Sequence, residues 1–94
     1  MADHVCLIVD DELSIRMFIR ATLDGEGFQS LEAGSAAEAL RIVQKLGGRL
    51  DLIVSDIKMP GDMDGVDLAY SIRHSYPAVP VVLISGYGGV GVPD

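Results

Sequence analysis

The stretch Leu50-Asp51-Leu52-Ile53-Val54-Ser55-Asp56-Ile57-Lys58-Met59-Pro60-Gly61 decides how the rest of the chain is read. Its apolar run, 52–54, is short and partly β-branched, which suits a buried strand rather than a helix. The strand gives way abruptly to Asp56, and Pro60 and Gly61 mark a loop. A second apolar run, 5–9, ends the same way in Asp10-Asp11. Strands that are apolar on both faces belong in a parallel sheet covered by helices. The carboxyl ends of such a sheet lie along one edge, where ligands bind. Asp10, Asp11 and Asp56 are therefore expected to converge. Two carboxylates about 4 Å apart repel by roughly 4 kcal/mol at an effective dielectric near 20. Whole domains are stable by only about 5–15 kcal/mol. Such a cluster is expected to hold a cation, to share protons or to be kept for a function.

The pattern around these two runs completes the fold class. Residues 13–24 read as a helix with Ile15, Phe18, Ile19, Thr22 and Leu23 on one face and Arg16 and Arg20 on another. Acidic residues before it suit a helix N-terminus, so simple capping competes as a reading of Asp10 and Asp11. Capping explains one carboxylate well and two adjacent ones poorly. Gly25 and Gly27 stop this helix. Residues 28–33 read as a more polar edge strand. Ser35-Ala36-Ala37-Glu38 has capping-box spacing and opens a helix to about Leu46, with Ala39, Leu40, Val43 and Leu46 inward. Asp64-Gly65 leads into a helix over 66–75 with Val66, Ala69 and Ile72 inward, and 81–84 is a fourth strand ending at Ser85-Gly86. The order βαβαβαβ predicts a parallel α/β sheet with right-handed crossovers. It brings Ser85 to the same edge as the three aspartates.

Ninety-four residues make one domain, with a hydrophobic fraction of 49% that is enough for one core. A net charge of −7 argues against general affinity for nucleic acid or anionic membrane. No run reaches the ~18 apolar residues of a membrane span, and Met1-Ala2-Asp3-His4 lacks the features of a signal peptide. The single Cys6 reads as a small buried hydrophobe, and without a partner for a disulfide it points to a reducing cytoplasm. Residues 86–94, with four glycines, read as a loop.

Three carboxylates, a backbone carbonyl just beyond Asp56 and water would form an all-oxygen site suited to Mg²⁺ or Mn²⁺. A hard cation beside a carboxylate and a hydroxyl points to phosphoryl chemistry. A carboxylate can itself be the nucleophile, and Asp56, ending the central strand, is best placed for that. Ser85 could hydrogen-bond a phosphoryl oxygen, with Gly86 leaving room. A strand-end serine is also a common turn former. His4 and His74 have no motif around them and read as solvated or packed side chains.

Val9-Asp10-Asp11-Glu12, Asp56-Ile57-Lys58-Met59-Pro60-Gly61, Met63-Asp64-Gly65 and Leu83-Ile84-Ser85-Gly86 together resemble the receiver domain of two-component response regulators. Four motifs occur in order at the right strand ends, and the resemblance spans nearly the whole of 1–94. It implies a three-layer, flavodoxin-like (CheY-like) parallel sheet with helices on both faces and strand order 2-1-3-4-5. It implies that Asp56 is the phosphoacceptor and that Asp11 and Asp56 ligate Mg²⁺ with the Lys58 carbonyl, Asp10 acting directly or through water. Ser85 matches the family residue that moves toward the phosphoryl group. The implied donor is a sensor histidine kinase or a phosphotransfer protein, and the chain is not expected to be an enzyme in its own right.

Two departures from the family pattern stand out. The loop 60–65 is one residue longer than usual and adds Asp62. Family members continue through a fourth helix, a fifth strand and a fifth helix, so the C-terminal part is absent from these 94 residues. No residue here matches the family's phosphoryl-pairing lysine or its switch aromatic; Lys45, Lys58 and Tyr87 do not fit by spacing. Without a fifth strand, the apolar strand 81–84 is left bare, and self-association is expected. The alternatives are a receiver-like interaction module that does not signal through phosphate and a Mg²⁺-dependent phosphohydrolase. The second lacks room for a substrate cap and a second carboxylate two residues after Asp56.

Overall fold

The computed structural model describes residues 4–85. The elements follow the expected order: β1 (His4–Val9), α1 (Leu13–Gly25), β2 (Phe28–Ala33), α2 (Ala36–Leu46), β3 (Leu52–Asp56), α3 (Gly65–Ser75) and β4 (Val81–Ile84). The strands form one sheet in the order β2-β1-β3-β4, and every pairing is parallel. Leu7 pairs with Leu31 on one side and Ile53 on the other, so β1 is central and fully buried over Cys6–Val9. The segment 86–94, including the expected loop, Gly86 and Tyr87, lies outside the described residues.

Side chains alternate along β1 between two differently covered faces. Leu7 and Val9 join Ile53, Ala39, Val43, Leu68 and Ile72 in the core beneath α2 and α3. Cys6 and Ile8 point the other way, toward the side that carries α1. Burial pushes the Cys6 thiol up to about 11, against an opposing backbone hydrogen bond at Val54. It is therefore an inert packing residue.

Local chemistry ends the helices where the sequence says it should. The Ser35 side chain accepts the Glu38 amide at 3.1 Å, and Glu38 reaches back to the Gly34 amide at 2.8 Å. Gly47 closes α2 in the left-handed region at φ 62°, which favours glycine. At α1 the helix includes Gly25, and it is Gly27, at φ 89°, that redirects the chain into β2.

Two expected inward faces hold in part: Ile15, Ile19, Leu23, Ala69 and Ile72 turn inward, and Phe18, Thr22 and Val66 do not. Phe18 is 73% exposed, and Leu13 and Met17 are more than half exposed. No residue of α1 is fully buried. Ile15, Ile19 and Leu23 make its half-buried side against β1 and β2, and Arg16 turns inward to polar partners (below). Along α3 the buried residues are Gly65, Leu68 and Ile72, while Val66 is 37% exposed. The cause is the start of the helix. Asp64 caps it by accepting the Val66 and Asp67 amides, and Asp67 closes the capping box. Gly65 is thereby turned inward, and the i, i+3, i+7 series that follows it carries the core.

β4 has a neighbour on one side only among the described residues. Val82 is 46% exposed, and Leu83 lines an open groove of about 210 Å³ with Val66, Ala69, Tyr70 and Arg73. The opposite margin, β2, is guarded by Glu32 and its two arginines.

The burial difference makes a quantitative expectation. Leu68→Ala removes a fully buried side chain and should cost about 2–5 kcal/mol. Phe18→Ala should stay within about 0.5 kcal/mol of wild type. Denaturant unfolding of both variants measures the contrast, and comparable losses would contradict the orientation of α1.

Candidate acidic site at the sheet edge

Parallel pairing decides the geometry of the site. Val9 is paired with Ser55 and Ala33, so β1 and β3 end together. Asp10, Asp11 and Asp56 each offer a carboxylate oxygen, and these atoms lie within 4.8 Å of one another. Asp10 and Asp56 are buried and Asp11 is exposed. The set is all oxygen and open on one side. That fits a hard divalent cation retaining water better than a soft or zinc-type ion.

Each aspartate is held by its own neighbours. The Asp10 amide donates to the Ala33 carbonyl at 3.1 Å, and its carboxylate accepts the Glu12 amide at 2.9 Å. The N-cap of α1 is Glu12, which makes no side-chain cap bond. Simple helix capping therefore does not account for the Asp10-Asp11 pair. Asp56 is anchored through its backbone. The buried Ser55 hydroxyl donates to the Asp56 carbonyl at 2.9 Å. The Gly65 amide donates to the Ile57 carbonyl at 2.9 Å. A Cβ on Gly65 would come within 1.9 Å of the Asp56 carbonyl oxygen, so only glycine allows α3 to start this close.

Ser85 follows β4 directly. Ile84 is the register partner of Asp56, and its carbonyl accepts the Ile57 amide at 2.9 Å, so Ser85 stands at the same edge. Lys58 is exposed, two residues past β3, and its charge helps hold the Asp64 carboxyl below the ordinary range, after the larger effect of the amides that Asp64 accepts. Asp62 is an exposed loop residue. Gly86 lies outside the described residues.

Sequence reasoning missed three supporting residues: Ser55, Gly65 and Arg16. The glycine had a legible signal. It occupies the first helical position after a good N-cap, where its poor helix propensity makes sense only if a side chain is excluded. Nothing in the spacing distinguishes Arg16 from a solvated helix residue.

With four ordered motifs meeting at one edge of a 2-1-3-4 parallel sheet, comparison with known proteins is decisive. The family model described as the response regulator receiver domain matches residues 6–91. The chain belongs to that family. This receiver domain is 41% identical over 81 residues to the sensor kinase CckA of Brucella abortus, covering 86% of the present chain and 8% of that protein. It is 34% identical over 88 residues to the sporulation initiation phosphotransferase F of Bacillus subtilis, covering 94% and 68% respectively. Among solved structures, the response regulator TrrA of Thermotoga maritima, in complex with Mg²⁺–BeF, superposes with a TM-score of 0.80 at 33% identity, over 90% of this chain and 71% of that one. The chain thus spans a small part of the sensor kinase and about two thirds of the shorter relatives.

Burial raises the Asp10 carboxyl above its ordinary value; the Glu12 amide opposes the shift, and the Asp56, Asp11 and Glu12 charges add to it. A carboxyl raised on folding binds its proton more tightly in the native state. Cation-free stability should therefore fall as pH rises from the ordinary aspartate value through the folded one. Asp10→Asn keeps an acceptor for the Glu12 amide and removes the charge. In EDTA it is expected to be more stable than wild type at neutral pH, with the gain vanishing below about pH 4. Denaturant unfolding at the two pH values checks this; a destabilised variant at neutral pH contradicts it.

Proposed function

We propose that this receiver domain is a phosphoacceptor in which Asp56 takes a phosphoryl group from a phosphohistidine of a sensor histidine kinase or phosphotransfer protein. The observation that carries this reading is the meeting of the Asp10, Asp11 and Asp56 carboxylates within 4.8 Å at the sheet edge. In the transfer, an Asp56 carboxylate oxygen attacks phosphorus and the P–N bond breaks. The chain becomes an aspartyl phosphate, and the donor imidazole leaves and takes a proton.

Asp10, Asp11 and Asp56, with the Lys58 backbone carbonyl, are the residues to hold Mg²⁺ or Mn²⁺. Such a cation neutralises phosphoryl oxygens and lets an anionic carboxylate approach them. The chain's own contribution is positional. Ser55 holds the Asp56 carbonyl and Gly65 the adjoining Ile57 carbonyl, and Asp10 is fixed by Ala33 and Glu12. Ser85, with Gly86, is the residue to contact the arriving phosphoryl group and to pass its presence to β4.

The domain is a switch rather than an enzyme with a substrate of its own. A net charge of −7 disfavours nucleic acid as its direct partner. No helix among the described residues is long and apolar enough to cross a membrane. A reducing cytoplasm suits the free, buried Cys6.

Incubation with acetyl phosphate and Mg²⁺, followed by peptide mass spectrometry, is expected to place one phosphate on Asp56. Asp56→Asn should abolish the modification, and Asp11→Asn should remove most of the rise in melting temperature that Mg²⁺ produces. Phosphate on another residue with Asp56 unmodified sinks the assignment. A folded, Mg²⁺-binding chain that takes up no phosphate would favour the interaction-module reading.

We also propose self-association through the β4 margin, which has no neighbouring strand among the described residues and carries no charge to deter pairing. Light scattering across a dilution series is expected to show a concentration-dependent mass; a monomer at every concentration rules this out.

A further inference from the structure

Arg16 is the only arginine of α1 whose side chain reaches the acidic site's own backbone among the described residues. Its Nη1 donates to the Asp10 carbonyl at 2.7 Å, and its Nε donates to Glu32 Oε1 at 2.9 Å. The guanidinium lies beside Gly34, where an added Cβ would sit 3.6 Å from Nη1. The other oxygen of Glu32 accepts from Arg20 Nη1 at 2.6 Å. Exposure separates the two arginines: the Arg16 side chain is 18% exposed and that of Arg20 47%. Arg20 braces Glu32 from outside, while Arg16 is the link that continues to Asp10.

This link completes the restraint of one residue. The Asp10 amide donates to β2, its carboxylate accepts the Glu12 amide, and its carbonyl accepts Arg16. With both backbone polar groups and one carboxylate oxygen engaged, the orientation of the peptide leaving β1 is set, and with it the directions of the Asp10 and Asp11 side chains. The task needs an arginine. A planar guanidinium donates along two directions at once, whereas an ammonium is a point charge that cannot reproduce the fork.

We propose that Arg16 is a positioning residue for the divalent-cation site, acting through the Asp10 carbonyl; this rests on the cation reading given above. Charge and position make opposite predictions. Arg16 is a cation near three carboxylates, so by Coulomb's law alone its removal should strengthen Mg²⁺ binding. If it holds the ligands in register, its removal weakens binding, as loss of outer-shell partners of metal ligands does by about 10–100-fold.

The experiment is calorimetric titration of Mg²⁺ into the wild-type chain and into Arg16→Ala, Arg16→Lys and Arg20→Ala, with melting temperatures recorded in EDTA. Arg16→Ala is expected to weaken Mg²⁺ binding about tenfold. Arg16→Lys should lose about threefold, keeping the charge but not the fork. Arg20→Ala, which removes the same charge and a bond to the same glutamate, should stay within about twofold of wild type. Unchanged or tighter binding by Arg16→Ala overturns the proposal, as does an equal loss in Arg20→Ala. A lowered melting temperature in EDTA with wild-type Mg²⁺ affinity also overturns it, because that is what a merely structural role produces. Should Arg16→Ala fail to fold, wild-type affinity in Arg16→Lys overturns it instead. A wild-type chain that takes up no Mg²⁺ removes the cation site itself, a failure distinct from all of these.

Discussion

Electrostatic repulsion among Asp10, Asp11 and Asp56 is the constraint on which the rest of the structure depends. Parallel pairing of β1 with β3 brings the carboxylates together, and nothing in the pairing relieves their charge. Bringing one such pair to about 4 Å costs on the order of 4 kcal/mol at an effective dielectric near 20. A core must supply the difference. Fully buried Leu7, Ile8, Val9 and Ile53 form the strand segments that lead directly into the aspartates. The most deeply buried strands of the described residues therefore lead into the closely spaced carboxylates. That arrangement suits a cluster that could hold a metal ion.

The surrounding polar contacts have a common character: they act on the backbone of the acidic residues and leave side-chain oxygens available. Ser55 and Gly65 hold the Asp56 and Ile57 peptides, and Ala33 and Arg16 hold the Asp10 peptide. Asp10 gives up one carboxylate oxygen, to the Glu12 amide. Fixing the peptide restricts where a carboxylate can go without consuming its capacity to bind. Arg16 and Arg20 also draw the Glu32 carboxyl below its ordinary range, first through their hydrogen bonds and then through their charge.

Among the described residues, the two margins of the sheet are treated differently. β2 is more polar, and its Glu32 is tied to α1 by two arginines. β4 is apolar throughout and bordered by exposed Val66 and Tyr70. Natural edge strands usually carry charges, proline or bulges that discourage pairing. Here Pro80 stands just before β4 and nothing similar lies within it. Ser85 directly follows β4 at the carboxyl edge of the sheet, so whatever packs beside β4 also lies close to the end of that strand.

Sequence alone determined the order of elements, the parallel sheet, the caps of α2 and the edge at which Asp10, Asp11, Asp56 and Ser85 would meet. These follow from local rules: runs that are apolar on both faces, turn residues between them, and a topology in which strand ends share one edge. Tertiary structure decided the rotation of the helices and the support of the site. Phe18 and Ile15 are equally apolar on paper, and only the placement of α1 over β1 and β2 leaves one exposed and the other half-buried. Val66 lost its expected inward place to Leu68 because Asp64 and Gly65 fix where α3 begins. Arg16 read as a solvated helix charge. Its partners, the Asp10 carbonyl just past β1 and Glu32 in β2, are 6 and 16 residues away. Periodicity reports which face of an element is apolar, but a hydrogen bond between elements exists only once the chain has folded.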